Sequence, residues 1–393
     1  MAARPLDVAP AGPVTLPDSG IGRGWEPAAI VLLTLLLLSF GLVTLYSASS
    51  VLALRESLPD TYYVLRQAAG AGIGLVVMAV CAAIPYRLWG KWAWPFYWGS
   101  VALLVLIVLP GTQAIAPEIN GARRWLRLGV TFQPSEFAKI SVIVWTAAIA
   151  VKKAGTDHFR RLSLGLGPFF LMWAILLLPV ALEPDLSTSA LIALLGVLVV
   201  FAAGARIGHF VFLGALTVPV LKHQLAVGFR AQRVAAFLNP AADPSGAGFQ
   251  VRQSLVALGS GGLTGVGFGE GRQKFGFLPY AHNDFIFAMV GEEWGLLGVL
   301  FLVSLYLSII LVGFRVASRA PDLFGELLAI GVTNLIALQA VLHMAVGLGL
   351  VPPTGLALPL VSYGRSNLLV TLAALGILVS VARAAPGGKG ARA

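Results

Sequence analysis

One acidic side chain lies where an apolar run is about to begin. The stretch FLPYAHNDFIFAMVGEEWGLLG, residues 277–298, places His282, Asn283 and Asp284 directly before that run. An ionised carboxylate close to hydrocarbon is costly unless it is paired, protonated or facing water. Asp284 can cap the first helical turn, because its oxygens can accept hydrogen bonds from the free N–H groups there. Alternatively, a carboxylate at the floor of a partly dehydrated cavity can act as a general base.

Two further acids, Glu292 and Glu293, lie about two turns inside the same run. Consecutive helical positions point about 100° apart, so both carboxylates cannot face the same neighbour. We predict structural roles, with one acid paired with a buried cation and the other bonded to polar backbone. On an ideal helix Asp284 shares a face with three small residues, Ala288, Gly291 and Gly295, which allow close helix approach and can leave room for a ligand.

Two apolar runs are interrupted by ALEPDLSTSA, residues 181–190, in which Glu183 and Asp185 flank a proline. Proline stops a helix, and Asp185 can cap the helix that follows. The alternative is a second acidic element that orients a sugar or holds a metal, for which two carboxylates are weak evidence.

A basic cluster precedes one of the spans. NGARRWLRLG carries Arg123 and Arg124, and FQPSEFAKI follows with Glu136 and Lys139. Solvated loop charges are the simplest interpretation of the arginines, but several guanidinium groups on one side of a membrane also suit a diphosphate. Lys139 falls inside an apolar span and needs a buried partner, for which a glutamate is the natural choice.

The segment GSGGLTGVGFGEG, residues 259–271, resembles a glycine-rich nucleotide loop only superficially. No strand precedes it and no Gly-Lys-Ser/Thr sequence follows, so we interpret it as tight backbone bends in a re-entrant loop. Arg272 and Lys274 add cationic groups beside it. Near the end of the chain, PPTGLALPLVSYGRSN, residues 352–367, predicts broken backbone, which is tolerated at membrane depth where it lines a cavity.

The composition identifies an integral membrane protein. Of 393 residues, 58% are hydrophobic and only 11% charged, and the mean hydropathy is +0.87. A soluble domain carries about 25% charged residues. The single cysteine, Cys81, excludes an intramolecular disulfide. The net charge of +10 is scattered over loops without a basic, aromatic-rich block, so nucleic acid is not an expected partner and an anionic lipid headgroup is.

The pattern of apolar segments predicts an all-α, polytopic fold with ten transmembrane helices. The segments are 28–48, 64–84, 94–110, 137–151, 165–182, 186–203, 207–225, 284–313, 325–349 and 357–382. They predict a flexible tail over 1–26, one membrane domain over 27–383 and a short tail over 384–393. The large connection 226–283, between the seventh and eighth spans, carries apolar and helical patterns and is expected to be folded.

The distribution of basic residues predicts the orientation. Ten spans put both termini on one side, and most arginines and lysines of the short loops lie on that side, which the positive-inside rule assigns to the cytoplasm. The connection 226–283 and the cluster at 120–129 then lie on the outer face, where we expect the function to reside.

Taken together, these motifs resemble the SEDS (shape, elongation, division and sporulation) family. The resemblance is carried by NGARRWLRLG…FQPSEFAK, EPDLSTS, FLNPAADPSGAGFQVRQSLVALGSGGLTGVGFG, FLPYAHNDFIFAMVGEEWGLLG and PPTGLALPLVSYGRSN, in the family's order and over nearly the whole chain. The stretches AQR…AFLNP, RQK before FLP, and LYSASS are more similar to division members than to elongation members.

The resemblance implies a peptidoglycan glycosyltransferase of the bacterial inner membrane that polymerises lipid II. It implies a class B penicillin-binding protein as the transpeptidase partner, with other division proteins if the chain is a division member. The family's essential acid corresponds to Asp284, its arginine-rich loop to Arg123 and Arg124, and its Pro-Ser-Glu motif to Glu136 and Lys139.

Three positions depart from the family pattern. Tyr280 replaces the acid that usually precedes Ala-His, and Arg365 and Asn367 replace a glycine and a serine in Ser-Tyr-Gly-Gly-Ser-Ser.

The expected chemistry is proton removal by Asp284 from a sugar hydroxyl, with undecaprenyl diphosphate as the leaving group. No cofactor is required by the motifs, apart from the option of a divalent cation such as Mg²⁺ at the diphosphate; no metal ligands are assigned. The residues expected to contact substrate are Arg123, Arg124, Glu136, Lys139, Glu183, Asp185, Arg272, Lys274, His282, Asn283 and Ser362. The alternatives are a lipid II flippase, which needs polar groups reachable from both faces, and a non-catalytic scaffold, for which Asp284 is dispensable.

Overall fold

The computed structural model describes residues 24–118, 122–128, 130–154, 165–225, 228–239, 243 and 246–385. The tails predicted at 1–26 and 384–393 lie almost entirely outside these residues. The α-helices are α1 Glu26–Arg55, α2 Tyr62–Ala83, α3 Tyr86–Lys91, α4 Ala93–Val108, α5 Pro134–Lys153, α6 Gly167–Leu182, α7 Leu186–Ala202, α8 Ile207–Leu225, α9 Gly228–Leu238, α10 Ala247–Ser260, α11 Ile286–Ser318, α12 Leu323–Gly347 and α13 Arg365–Ala384.

The helical class predicted for the chain is confirmed. Six of the described helices, α1, α2, α5, α11, α12 and α13, are long and apolar enough to cross a membrane. The shorter apolar helices α4, α6 and α7, together with α8, occupy the other four predicted segments. The number of ten spans stays a prediction, since three of these helices have fewer than 18 residues.

A short β-hairpin lies in the segment that the sequence pattern assigned to a loop. The strands β1 Leu126–Leu128 and β2 Val130–Phe132 form an antiparallel hairpin directly before α5. The sequence LRLGVTF alternates apolar and polar residues around a glycine, which is the pattern of a short hairpin. The segment contains no long apolar run and each strand has only three residues, so the sequence pattern predicted a loop here.

The last helix begins later than predicted, at Arg365 instead of position 357. Proline lacks the N–H that continues a helix, and Pro359 lies within the segment that stays non-helical. The side chain of Gln67 provides hydrogen-bond partners for this non-helical backbone. Its Nε2 donates to Ser362 O at 3.0 Å, and its Oε1 accepts from Gly364 N at 3.2 Å. The predicted broken backbone before the last helix is therefore present.

Helices α2 and α13 pack closely against each other. A Cβ atom at Gly376 would lie 2.4 Å from Met78 O, which shows that the two backbones meet where a side chain would not fit. Helices α5 and α13 are the most enclosed of the candidate spans, with 78% of their apolar windows buried. They form a central pair of elements whose first turns face the same end of the bundle.

Helix α11 is interrupted at Gly295, whose φ of 64° is not helical. The glycine-rich segment fills the break: Val266 N donates to Glu292 O at 3.0 Å, and Leu296 N donates to Gly262 O at 3.0 Å. The predicted close approach at Gly295 is confirmed, because a Cβ atom there would lie 2.2 Å from the backbone nitrogen of residue 265. The segment is thus a loop inserted against a broken helix.

The two acids inside α11 have the structural partners predicted for them. Glu293 Oε1 lies 3.1 Å from Lys274 Nζ, and both side chains are almost fully buried. Glu292 Oε1 accepts hydrogen bonds from Arg272 N at 2.8 Å and Gln273 N at 3.3 Å. One glutamate therefore pairs with a buried cation and the other with backbone, and both fasten the glycine-rich loop to α11.

Candidate active site

A cavity of about 450 Å³ opens at one end of the bundle, between α2, the β-hairpin, the first turns of α5, α7 and α13, and the segment before α11. The basic residues of its wall are Arg66, Arg124, Arg127 and Arg365, and the acidic ones are Glu136, Asp185 and Asp284. This arrangement suits a large substrate that is both anionic and rich in hydroxyl groups.

Asp284 lies in this wall, two residues before α11, and is half-buried. The capping interpretation does not hold, because the first turn of α11 has Phe285 at its N-cap position and no side-chain cap. The carboxylate makes no hydrogen bond or ion pair with any described residue. Burial raises its pKa to about 6, against the opposing charges of Arg233 and Arg124. A Cβ atom at Gly355 would lie 4.0 Å from Asp284 Oδ2, so this glycine of the segment before α13 closely approaches the carboxylate.

The residues before Asp284 are held by aromatic and hydroxyl contacts. The His282 ring lies between Tyr63 and Tyr363, with centroid distances of 5.4 and 5.9 Å. Burial lowers the pKa of His282 to about 4, so the ring is neutral at physiological pH. Asn283 O accepts from Ser362 Oγ at 2.7 Å, while its side-chain Oδ1 is buried without a partner among the described residues. Ser362 therefore positions the segment that carries Asp284.

Arg124 is bound to the turn between α6 and α7. Its Nε donates to Glu183 O at 3.1 Å, its Nη2 donates to Pro184 O at 2.9 Å, and its Nη1 lies 3.8 Å from Asp185 Oδ2. Asp185 Oδ1 accepts from Thr188 N at 3.1 Å and caps α7, as one interpretation of the sequence predicted. Arg124 and Asp185 both line the cavity, where the polar atoms that these bonds do not occupy are available to a ligand.

Glu183 lies behind this turn and not in the cavity wall. Its side chain is buried, and neither carboxyl oxygen has a hydrogen-bond partner among the described residues. Burial, with a smaller effect of Asp185, raises its pKa to about 8. The carboxyl group is therefore neutral at physiological pH.

We expect the Glu183→Gln variant to be more stable than the wild type at alkaline pH. Below the ordinary glutamate pKa, folded and unfolded chains both hold the proton, so the acid has no effect there. As the pH rises towards 8, the unfolded chain releases this proton while the folded chain retains it, and stability falls. Glutamine removes that loss, which thermal unfolding in detergent over a pH series will measure. Equal pH dependence in both proteins would contradict the burial of an unpaired acid.

Glu136 and Lys139 form a buried pair on the first turn of α5. Lys139 Nζ lies 2.7 Å from Glu136 Oε1, so the predicted glutamate partner of this lysine is confirmed. Asn367, one of the departures from the family pattern, donates from Nδ2 to Glu136 Oε2 at 2.9 Å. These contacts join the starts of α5 and α13 and fix the orientation of Glu136 at the cavity.

Three cavity arginines were not among the predicted substrate contacts. Arg127 lies opposite Thr131 in the hairpin, and both residues line the cavity. Arg365 begins α13, and Arg66 comes from the first turns of α2, where it donates to the Tyr62 hydroxyl. The guanidinium groups of Arg127 and Arg365 bond to no other side chain in the described part of the protein. Arg127 could have been identified from the sequence because it belongs to the basic cluster, and Arg365 because it replaces a glycine of the family pattern.

Of the eleven predicted substrate contacts, only Arg124, Glu136, Asp185 and Asn283 line the cavity. Lys139, His282 and Ser362 contact the residues or segments that form its wall, and Glu183 lies behind it. The other three lie farther away from the cavity. Arg123 Nη1 donates to Leu109 O at 3.4 Å outside its wall. Lys274 is enclosed by Glu293 and Ser47, and the side chain of Arg272 is exposed on the glycine-rich loop.

Comparisons with known proteins identify the family of the chain. The model of the family described as cell cycle protein, which includes FtsW, RodA and SpoVE, matches residues 28–386. The chain is 42% identical over 354 residues to a probable peptidoglycan glycosyltransferase FtsW of Geobacter sulfurreducens, covering 90% of this chain and 94% of the relative. It is 38% identical to stage V sporulation protein E of Bacillus subtilis, with 90% and 96% covered. It is 37% identical to peptidoglycan glycosyltransferase MrdB of Escherichia coli, with 90% and 92% covered.

Solved structures show the same fold. One similar chain comes from a peptidoglycan synthase complex that coordinates polymerization and crosslinking, with a TM-score of 0.74, 32% identity and coverage of 90% of this chain and 96% of the other. The rod shape determining protein RodA of Thermus thermophilus has a TM-score of 0.66 and 28% identity, with 92% and 96% covered. From the sequence match and the shared fold, this chain is an integral membrane protein that belongs to the FtsW/RodA/SpoVE family.

Proposed function

We propose that this protein is a peptidoglycan glycosyltransferase that polymerises lipid II. One observation carries the proposal: the carboxylate of Asp284 lies unpaired in a cavity whose wall also presents four arginines. Relatives named peptidoglycan glycosyltransferase match most of the chain. An unpaired acid beside cations is the arrangement expected for sugar transfer from a diphosphate carrier, in which a base and an anion-binding group must lie close together.

Asp284 acts as the general base in this proposal. Its carboxylate removes the proton from the acceptor sugar's 4-hydroxyl as that oxygen attacks the anomeric carbon of the lipid-linked donor. The bond from that carbon to the diphosphate oxygen breaks, so direct displacement inverts the anomeric centre. A base with a pKa of about 6 is ionised at neutral pH and still basic enough to accept a proton in the transition state.

The leaving undecaprenyl diphosphate is held by cavity arginines. Arg124 already bonds the turn before α7, so its free donor atoms can bind one phosphate. Arg127 and Arg365 line the same cavity with no side-chain partner among the described residues. These two replace Arg123 as the cations that balance the charge developing on the diphosphate. Glu136 and Asp185 are placed to accept hydrogen bonds from sugar hydroxyls.

The option of a divalent cation stays a prediction. Within the described residues, no group of three or more histidine, cysteine or acidic side chains is arranged to hold a metal ion. A cation would therefore need the diphosphate itself as a ligand, together with Asp185 or Asp284 from the cavity wall. Its role there would be to neutralise part of the diphosphate charge.

We expect the rate of glycan polymerisation to fall as the pH drops through about 6. The base must be ionised, and burial has raised the pKa of Asp284 from its usual 3.8 to about 6, so protonation removes the active form well above the ordinary aspartate range. Initial rates with lipid II well below saturation, measured across a pH series, will test this, because kcat/KM reports the pKa values of the free enzyme. Glu183→Gln is the control and should leave the acidic limb in place, since Glu183 stays protonated there. A flat profile through pH 6 would contradict the assignment.

The polar groups of the cavity come from helix ends that meet on one side of the bundle, which favours transfer over a flippase with groups reachable from both faces. We place this side on the outer face of the bacterial inner membrane, with both termini in the cytoplasm, on the basis of loop charges. A class B penicillin-binding protein is the proposed crosslinking partner, since a similar chain belongs to a peptidoglycan synthase complex. The stronger likeness to FtsW relatives favours a division role, with other division proteins as further partners.

Purified protein incubated with lipid II, with and without the transpeptidase, tests the proposal. We expect a ladder of glycan strands on a gel and release of undecaprenyl diphosphate. If no polymer forms under either condition, and fluorescent lipid II crosses the bilayer of reconstituted vesicles instead, the flippase is the better account.

A further inference from the structure

We propose that a second cavity, of about 380 Å³, holds the polyprenyl chain of the lipid-linked donor, with its diphosphate at Arg124. This inference rests on the proposed function and specifies where the hydrophobic part of the substrate lies. We refer to the cavity as the α7 groove. It lies between α7, α9 and the segment that follows α12, and its wall is mostly apolar.

One face of α7 forms the floor of the groove. Ser187, Ala190, Leu191 and Leu194 are spaced by three, four and seven residues from the first, so they lie on one side of the helix. Leu194 is 40% exposed. The groove is thus open along its side towards the surrounding membrane, which lets a long chain continue out of the protein.

The groove and the polar cavity are joined at one place. Arg124, Asp185 and Leu356 line both of them. A diphosphate at Arg124 therefore lies at the boundary, with its sugar in the polar cavity near Asp284 and its hydrocarbon in the groove. An amphiphile with an anionic group between a sugar and an apolar chain matches this sequence of environments.

A second cation lies at the same end of the groove. Arg233 of α9 lines it and donates from Nη1 to Pro353 O at 3.3 Å, which attaches α9 to the segment after α12. Its charge also acts on Asp284 and opposes the rise in the pKa of that carboxyl group. Two guanidinium groups at the head of an apolar groove favour a diphosphate over the single phosphate of an ordinary phospholipid.

Binding of undecaprenyl diphosphate, the product that the donor leaves behind, tests the groove directly. Ala190 is exposed in the groove, and the variant Ala190→Phe fills it without adding charge. We expect its affinity for undecaprenyl diphosphate to be about tenfold weaker, since displaced apolar groups lose burial worth about 0.8 kcal/mol per methylene. Inorganic diphosphate, which has no chain, should bind both proteins equally. Ala174→Phe, an exposed alanine on α6 outside both cavities, is the matched control and should bind like the wild type.

Two outcomes would overturn the inference. One is unchanged binding of undecaprenyl diphosphate by Ala190→Phe; the other is displacement of the probe by phosphatidylglycerol at equal concentration, which would identify the groove as a general lipid contact. Either result leaves the proposed function intact if the wild type still polymerises lipid II. Conversely, absence of polymerisation by the wild type would count against the proposed function whatever the groove binds. The Asp284→Asn variant should keep its affinity for the probe, because that residue acts in transfer.

Discussion

Replacing Asp284 by asparagine is expected to lower the rate of lipid II polymerisation by about 10²–10⁴-fold, the usual contribution of a positioned general base. Asparagine has nearly the same shape but cannot accept the proton. The carboxylate makes no bond to any described residue, so its loss should not disturb the fold. The variant should unfold at the same temperature as the wild type or slightly higher, because a half-buried acid has been removed.

Two companion variants sharpen this experiment. Asp284→Glu keeps the base but moves it, and should recover part of the activity. Asp60→Asn changes an acid that accepts from the Tyr46 hydroxyl and does not line the cavity, and should polymerise at the wild-type rate. Polymerisation by Asp284→Asn within a few-fold of wild type would reject the base and favour a scaffold.

The Lys274→Met variant should lose about 3–5 kcal/mol of unfolding free energy, the range seen when one partner of a buried ion pair is removed. The side chain of Glu293 is fully enclosed, so its charge would remain buried, and the Ser47 hydroxyl, 2.6 Å away, would be its one remaining donor among the described residues. Methionine also lacks the donor that Lys274 directs to Gly269 O. Chemical denaturation in detergent, followed by tryptophan fluorescence, will measure the loss.

A double variant separates the stability lost through an unpaired buried charge from the stability lost through changed side-chain packing. Lys274→Met combined with Glu293→Gln removes both charges and should recover a large part of the lost stability. Arg272→Met, two residues away with an exposed side chain, should stay within about 0.5 kcal/mol of wild type. If the double variant is as unstable as the single one, the pair is not the source of the effect.

Much of the fold was predictable because apolar runs and helix boundaries are local properties. Every predicted apolar segment contains a helix. The different partners of Glu292 and Glu293 could be predicted because adjacent helical positions point in different directions and buried carboxylates need partners. The hairpin was missed because strands of three residues are too short to show a period above the surrounding pattern.

The candidate site was only partly predictable because its members are far apart in the chain. The motif around Asp284 identified the acid, but nothing local separates Arg123, outside the cavity, from Arg124, which bonds the turn before α7. Arg233 was missed for the same reason, since it reaches the site through its contact with Pro353, more than a hundred positions away. Lys274 was taken for a substrate contact because its buried partner lies on another element.

The interruption at Gly295 determines which parts of the protein can move together. Val266 and Gly267 donate to the carbonyls of Glu292 and Glu293, replacing the bonds that an unbroken α11 would make internally. If the part of α11 before Gly295 moved without the inserted loop, these buried polar groups would lose their hydrogen-bond partners, and no water is present in the bilayer core to replace them. The loop and the first turns of α11 must therefore shift as a single block, and Asp284, immediately before those turns, would be carried with it.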